Sequence, residues 1–140
     1  EALGKANVEA NIANFKRLSR SFRKRPSCGE IDLLVVNKNT KTLFLFDAKN
    51  RPRRIRPYDI RQDVDTFLRG KKSYLRKLVA KERFITQNFS EVLQHFSIAN
   101  SKGWTIRKAF VVAHHYQVAY YTKKSVDFVE IEYLKSYVTE

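Results

Sequence analysis

The sequence predicts an α/β fold, a mixed sheet with helices packed on its faces. Three observations carry this reading. Apolar residues recur at three- and four-residue steps in several segments, the spacing of one-sided helices. Two apolar runs, Glu30–Val36 and Thr42–Lys49, flank the polar stretch Asn37–Lys41 and read as a β-hairpin. Helical segments and a further apolar strand follow the hairpin, the order of a layered α/β sandwich.

Each element has its own justification. From Leu3 to about Arg17 a helix is expected, because Val8, Ile12, Phe15 and Leu18 recur at helical steps. Ser19–Cys28 is basic and has room for a short strand or a loop. After the hairpin, the prolines of Arg51–Pro57 mark a loop. A helix begins at Tyr58, with Ile60, Val64, Phe67, Leu68, Leu75 and Leu78 on one side and Gly70 weakening its middle. Ser90–Ala99 reads as another helix, with Gly103 at its exit. Ala109–Ala113 is a buried strand, Val118–Thr122 and Val126–Ile131 are weaker strands, and Glu132–Val138 is a terminal helix.

The bulk composition narrows the function. The chain has 140 residues and an apolar fraction of 43%, enough for one domain with its own core. No apolar run approaches the roughly 20 residues of a membrane helix, and no secretory pattern opens the chain. Cys28 is the single cysteine, which fits a reducing, intracellular setting. The absence of Met suggests a domain taken from a longer protein. Lys and Arg number 28 against 14 Asp and Glu, a net charge of +14 whose natural partner is a polyanion, nucleic acid above all.

The hairpin carries the chemistry. Residues two apart on a strand share a face, so Glu30 projects with Asp32, and Asp47 with Lys49. Opposed residues of an antiparallel pair share a side, with Cα atoms about 4.5–5.5 Å apart. An even-length turn, Asn39-Thr40 or Lys38–Lys41, sets Asp32 against Asp47; a one-residue slip separates them. Two carboxylates that close repel unless a cation lies between them. Oxygen ligands suit Mg²⁺ or Mn²⁺, and Lys49 on the same face would stabilise charge developing on a phosphate. Taken alone, Asp47 and Lys49 are equally compatible with a surface salt bridge.

The run Gly29-Glu30-Ile31-Asp32-Leu33, followed by an apolar strand ending Asp47-Ala48-Lys49, resembles the PD-(D/E)xK nuclease superfamily. That superfamily includes restriction endonucleases and Holliday-junction resolvases. The resemblance spans about Leu3 to Lys72, with Ile31 in place of the nominal Pro. It implies a restriction-endonuclease-like mixed sheet flanked by helices and a single nuclease domain over residues 1–140. It makes Asp32 and Asp47 the metal-binding acids, Lys49 the catalytic lysine and the Ala48 carbonyl a further ligand. Glu9, on the first helix, matches the acid that resolvase-like members hold near the metal. Gln62 matches a glutamine that some families direct toward the site. The family's first strand would have to fit within about Ser19–Arg25.

Other residues have a functional and a bland reading. Arg51, Arg53, Arg54 and Arg56 follow Lys49 and would clamp a phosphate backbone, or form a solvated loop. Arg23, Lys24 and Arg25, with Lys16, Arg17 and Arg20, form a second basic stretch. Lys71, Lys72, Arg76 and Lys77 suit a solvated helix face. Glu30 is a metal helper or a surface residue. His95, His114 and His115 lack zinc spacing and read as packing residues. The expected activity is metal-dependent endonuclease cleavage of double-stranded or branched DNA, with a homodimer possible and no membrane role. The alternatives are an inactive nuclease-fold module that binds DNA or RNA, and a basic assembly domain.

Overall fold

A computed structural model describes the backbone of Val8–Asn11 and all atoms of residues 28–122 and 125–140. Five strands form one mixed sheet in chain order: β1 (Val8–Asn11), β2 (Leu33–Asn37), β3 (Thr42–Lys49), β4 (Thr105–Val112) and β5 (Asp127–Glu130). The first three pair antiparallel, whereas β3–β4 and β4–β5 are parallel. Helices α1 (Pro57–Val64), α2 (Tyr74–Gln87) and α3 (Phe89–His95) fill the β3–β4 crossover, and α4 (Leu134–Thr139) ends the chain. The α/β expectation is met by this mixed sheet with helices.

The hairpin has the even-length loop. Asn37 pairs with Thr42 across Lys38–Lys41, and Leu33 pairs with Phe46. Local chemistry closes this loop. Asn37 Oδ1 accepts the amides of Asn39 and Thr40 at 3.0 and 3.2 Å, an Asx-type turn, and Lys41 takes a left-handed φ of 51°. The Asn37 amide donates to the Val138 carbonyl at 2.8 Å, tying the hairpin to α4.

Alternation along the strands builds two cores. Leu34, Val36, Leu43, Leu45, Phe110 and Val112 face the crossover helices, where they meet Phe67, Leu78, Ile85 and Leu93. Val35, Phe44, Phe46, Ala109 and Val111 face the other way, toward Val138 of α4. The parity of β3 puts Asp47 and Lys49 on the face of Leu43 and Leu45, beneath the crossover helices.

Several expectations are corrected. The segment expected as a helix over Leu3–Arg17 is a strand where it is described, Val8–Asn11 paired with β2. β2 is buried almost throughout, so its outer backbone groups need partners that a strand supplies and a helix does not. The helix from Tyr58 through Leu78 is two helices: a π-helical turn, Asp65–Arg69, follows α1, and the chain is extended at Gly70 before α2. A Cβ at Gly70 would stand 2.9 Å from the Asp65 carbonyl oxygen, so the turn closes around a residue without one. Ser73 then caps α2, accepting the Arg76 amide at 3.3 Å. The strand expected at Val118–Thr122 is a 3₁₀ turn, Gln117–Tyr121. The strand expected within Ser19–Arg25, and the basic residues Lys16, Arg17, Arg20, Arg23, Lys24 and Arg25, lie outside the described residues. Among the described residues no helix is long and apolar enough to cross a membrane.

Candidate functional site

The site grows out of the carboxyl end of β3. Asp47 and Lys49 are the last face-sharing pair of that strand, opposite Phe110 and Val112 of the parallel strand β4. Carboxyl ends of parallel strands are where open α/β sheets gather functional groups. Extending the β2–β3 register by one residue sets Asp32 against Asp47. Asp32 Oδ2 accepts the Ala48 amide at 2.8 Å.

Asp47 is 1% exposed and holds two ammonium groups. Lys49 Nζ lies 2.8 Å from Oδ2, and Lys81 Nζ lies 2.7 Å from Oδ1. Burial by itself would raise the Asp47 carboxyl, but its hydrogen bonds to Lys49 and Lys81 outweigh burial and hold it below the usual range. Asp32 moves the other way. Burial raises it, the Ala48 amide opposes the rise, and the neighbouring Asp47 carboxylate adds to it. Two facing acids are thus driven apart, Asp47 staying ionised to lower pH than an ordinary carboxylate and Asp32 taking up its proton at higher pH than one.

Lys81 is the residue that sequence reasoning missed. It sits in α2 between Leu78 and Ile85 and is 7% exposed. Its signal was a lysine on an otherwise apolar helical stripe, where an unpaired charge would be costly. The next residue, Glu82, pairs with Lys108 of β4 at 2.8 Å, so adjacent residues fasten α2 to adjacent strands. Lys49 also lies over the Tyr74 ring, 4.6 Å from its centroid, at the start of α2. Cys28 is near enough for the Lys81 charge to act on it, though burial dominates and pushes its thiol up.

The arginines divide into two sets. Arg51 and Arg54 turn inward, with guanidinium nitrogens 3.4 and 3.9 Å from Oδ1 of the buried Asp63 in α1. The Arg51 amide donates to the Tyr116 hydroxyl, which donates in turn to the Arg51 carbonyl, both at 2.7 Å. Arg53 and Arg56 are exposed. Gln62 braces this loop, accepting from Arg54 at 3.2 Å and donating to the Tyr58 hydroxyl at 2.9 Å.

Glu30 is exposed, two residues before Asp32. Glu9 is opposite Val36 in the β1–β2 register, four positions along β2 from Asp32, and on a strand instead of the expected helix. The structure therefore brings together Asp32, Asp47, Ala48 and Lys49, adds Lys81, and does not bring the Glu9 backbone to the Asp32 end of β2. His95 packs edge-on against Phe96 at a ring centroid distance of 5.3 Å, and His114 lies tilted against the Tyr116 ring at 4.7 Å. His115 Nδ1 is 3.7 Å from a Glu130 carboxylate oxygen.

Two carboxylates on one face offer only hard oxygen donors, the chemistry of Mg²⁺ or Mn²⁺. Among the described residues no three His, Cys, Asp or Glu side chains converge on a point. A cation here would therefore draw the rest of its shell from backbone, water and substrate oxygens, as Mg²⁺ usually does. No protein-family model matches the chain, and neither does a curated protein or a solved structure.

Proposed function

We propose that this chain is a metal-dependent nuclease that hydrolyses phosphodiester bonds, most simply in DNA, on a restriction-endonuclease-like sheet. One observation carries the reading: the hairpin register sets Asp32 against Asp47 with Lys49 on the same face. Three antiparallel strands, crossover helices and a parallel strand beside β3 support it, as does the net charge of +14.

In this reading Asp32 and Asp47 hold the cation, with the Ala48 carbonyl as the further ligand the resemblance implies. A metal held there would supply an activated water and neutralise phosphate charge. Lys49 stabilises the charge that develops on the phosphate. Lys81 keeps Asp47 ionised and fixes its rotamer. Arg53 and Arg56 are placed to contact the phosphate backbone, while Arg51 and Arg54 hold the loop in shape.

A second reading, nucleic-acid binding without cleavage, is favoured by one feature: both Asp47 oxygens already face ammonium groups. Incubation of supercoiled plasmid with Mg²⁺, Mn²⁺ or EDTA separates the two. The nuclease reading expects metal-dependent nicking or linearisation that falls at least about 100-fold in Asp47→Ala and Lys49→Ala. Salt-sensitive binding with no cutting in either metal would establish the second reading.

A further inference from the structure

One side of α1, from the exposed Pro57 to the buried Val64, carries a feature that the Asp47 cluster does not use. Pro57, Ile60, Arg61 and Val64 follow at three- and four-residue steps and share a strip of the helix. With Arg69 and Tyr121 this strip lines a hollow of about 160 Å³. Its walls divide by chemistry. Pro57, Ile60, Val64 and the Tyr121 ring are apolar, whereas Arg61 and Arg69 are exposed cations. Among the described residues neither arginine has an ion-pair partner, although Asp59 and Asp65 lie on the same stretch.

The segments forming the hollow also expose large apolar side chains. Tyr58 is 69% exposed, Tyr120 76% and Ile55 76%. Aromatic and apolar groups held out among arginines mark an interaction surface. The mixture selects its ligand class. A flat ring stacks on tyrosine and buries its faces against aliphatic walls, while guanidinium groups take the phosphates on either side. A protein partner with an apolar face would leave the arginines without counter-charges. A base inside a duplex is already stacked on both faces and cannot enter such a hollow.

We propose that this hollow binds an unpaired nucleobase, stacked on Tyr121, with the adjoining phosphates on Arg61 and Arg69. The proposal rests on the nuclease reading and extends it to a substrate class: strands that present single-stranded or splayed nucleotides. The loop that leaves Lys49 runs directly into α1, so a strand lying along the Arg53–Arg56 edge is led from the Asp47 cluster to the hollow.

Fluorescence anisotropy in EDTA, where cutting does not intervene, tests this. The probes are a labelled oligothymidylate, an abasic strand of equal length and a blunt duplex. The parent protein is expected to bind oligothymidylate about tenfold more tightly than the abasic strand. Tyr121→Ala should abolish that difference without changing affinity for the abasic strand, and Tyr121→Phe should keep it. Arg69→Ala should weaken binding to both strands. Tyr121 is half exposed, so its variants should keep the parent's thermal unfolding profile, which circular dichroism checks. Equal affinity for the two strands, or a difference that survives Tyr121→Ala, overturns the hollow as a base site while leaving the nuclease reading in place. No binding to any of the three probes also overturns the hollow as a base site, and metal-dependent plasmid cleavage then decides the nuclease reading separately.

Discussion

Lys81 reaches down from α2 and places its ammonium 2.7 Å from Asp47 Oδ1, an ion pair closed 34 residues apart in sequence. With Lys49 on the other oxygen, it turns a buried carboxylate from a liability into an anchor between a helix and the sheet. Removing one member of a buried pair leaves the other poorly compensated.

Lys81→Met should therefore lower unfolding stability by about 2–4 kcal/mol, read as a shift of the urea midpoint. Adding Asp47→Leu should cost less than the two single effects together, because each single variant strands a charge. Strict additivity would show that the two groups do not interact. Under the nuclease reading Lys81 also competes with a cation for Asp47, so Mn²⁺ should raise the melting temperature of Lys81→Met more than that of the parent.

The two acids should give opposite pH signatures. Asp47 is held below its ordinary value of 3.8, so its stabilisation is complete above that value and is lost as pH falls through the lower folded value. Asp32 is raised above 3.8, so its ionisation opposes folding at neutral pH, and that opposition is relieved as pH falls toward 3.8. Asp32→Asn should be at least as stable as the parent at neutral pH. Asp47→Asn should be less stable there, with its deficit shrinking below pH 3.8. Urea titrations across the acid range read both, and a neutral-pH loss in Asp32→Asn would contradict the assignment.

The divided arginines should separate binding from stability. Arg53→Ala and Arg56→Ala should leave unfolding unchanged and each reduce the salt dependence of nucleic-acid binding by about one unit of slope. Arg51→Ala should cost about 1–3 kcal/mol of stability, because Asp63 is 4% exposed and loses its nearer counter-ion. Salt titration and urea unfolding of the same three variants check the division.

Gly70 should resist substitution. A methyl group there would press on the Asp65 carbonyl at 2.9 Å, and relieving it means opening the turn between α1 and α2. Gly70→Ala should cost about 1–3 kcal/mol, measured by chemical unfolding. A gain in stability would mean that the turn gives way easily.

Local signals account for what was legible in the chain. Alternation marked β2, β3 and the polar stretch between them, whereas the register stayed open between an even turn and a one-residue slip until Asn37 closed the four-residue loop that carries Asp32 to Asp47. The α/β class, the terminal helix and the strand around Ala109–Ala113 were legible for the same reason: period and turn chemistry act over a few residues. At Val8–Asn11 a strand stands where a helix was expected, because a short apolar spacing suits either element and the buried edge of β2 favours a strand. The continuous helix through Gly70 failed because one glycine's backbone crowding is invisible to periodicity.

The sequence by itself therefore determined the hairpin, its carboxylate pair, the neighbouring lysine and the basic field. Only the tertiary structure decided which charges are bound and which are presented. It assigned Lys81 to Asp47, drew Arg51 and Arg54 onto Asp63, left Arg53 and Arg56 exposed, and joined α1 to Tyr121 across a hollow. Strand register follows from neighbours in the chain, whereas an ion pair or a pocket wall between distant segments exists only once helices have packed on the sheet and excluded water from between them.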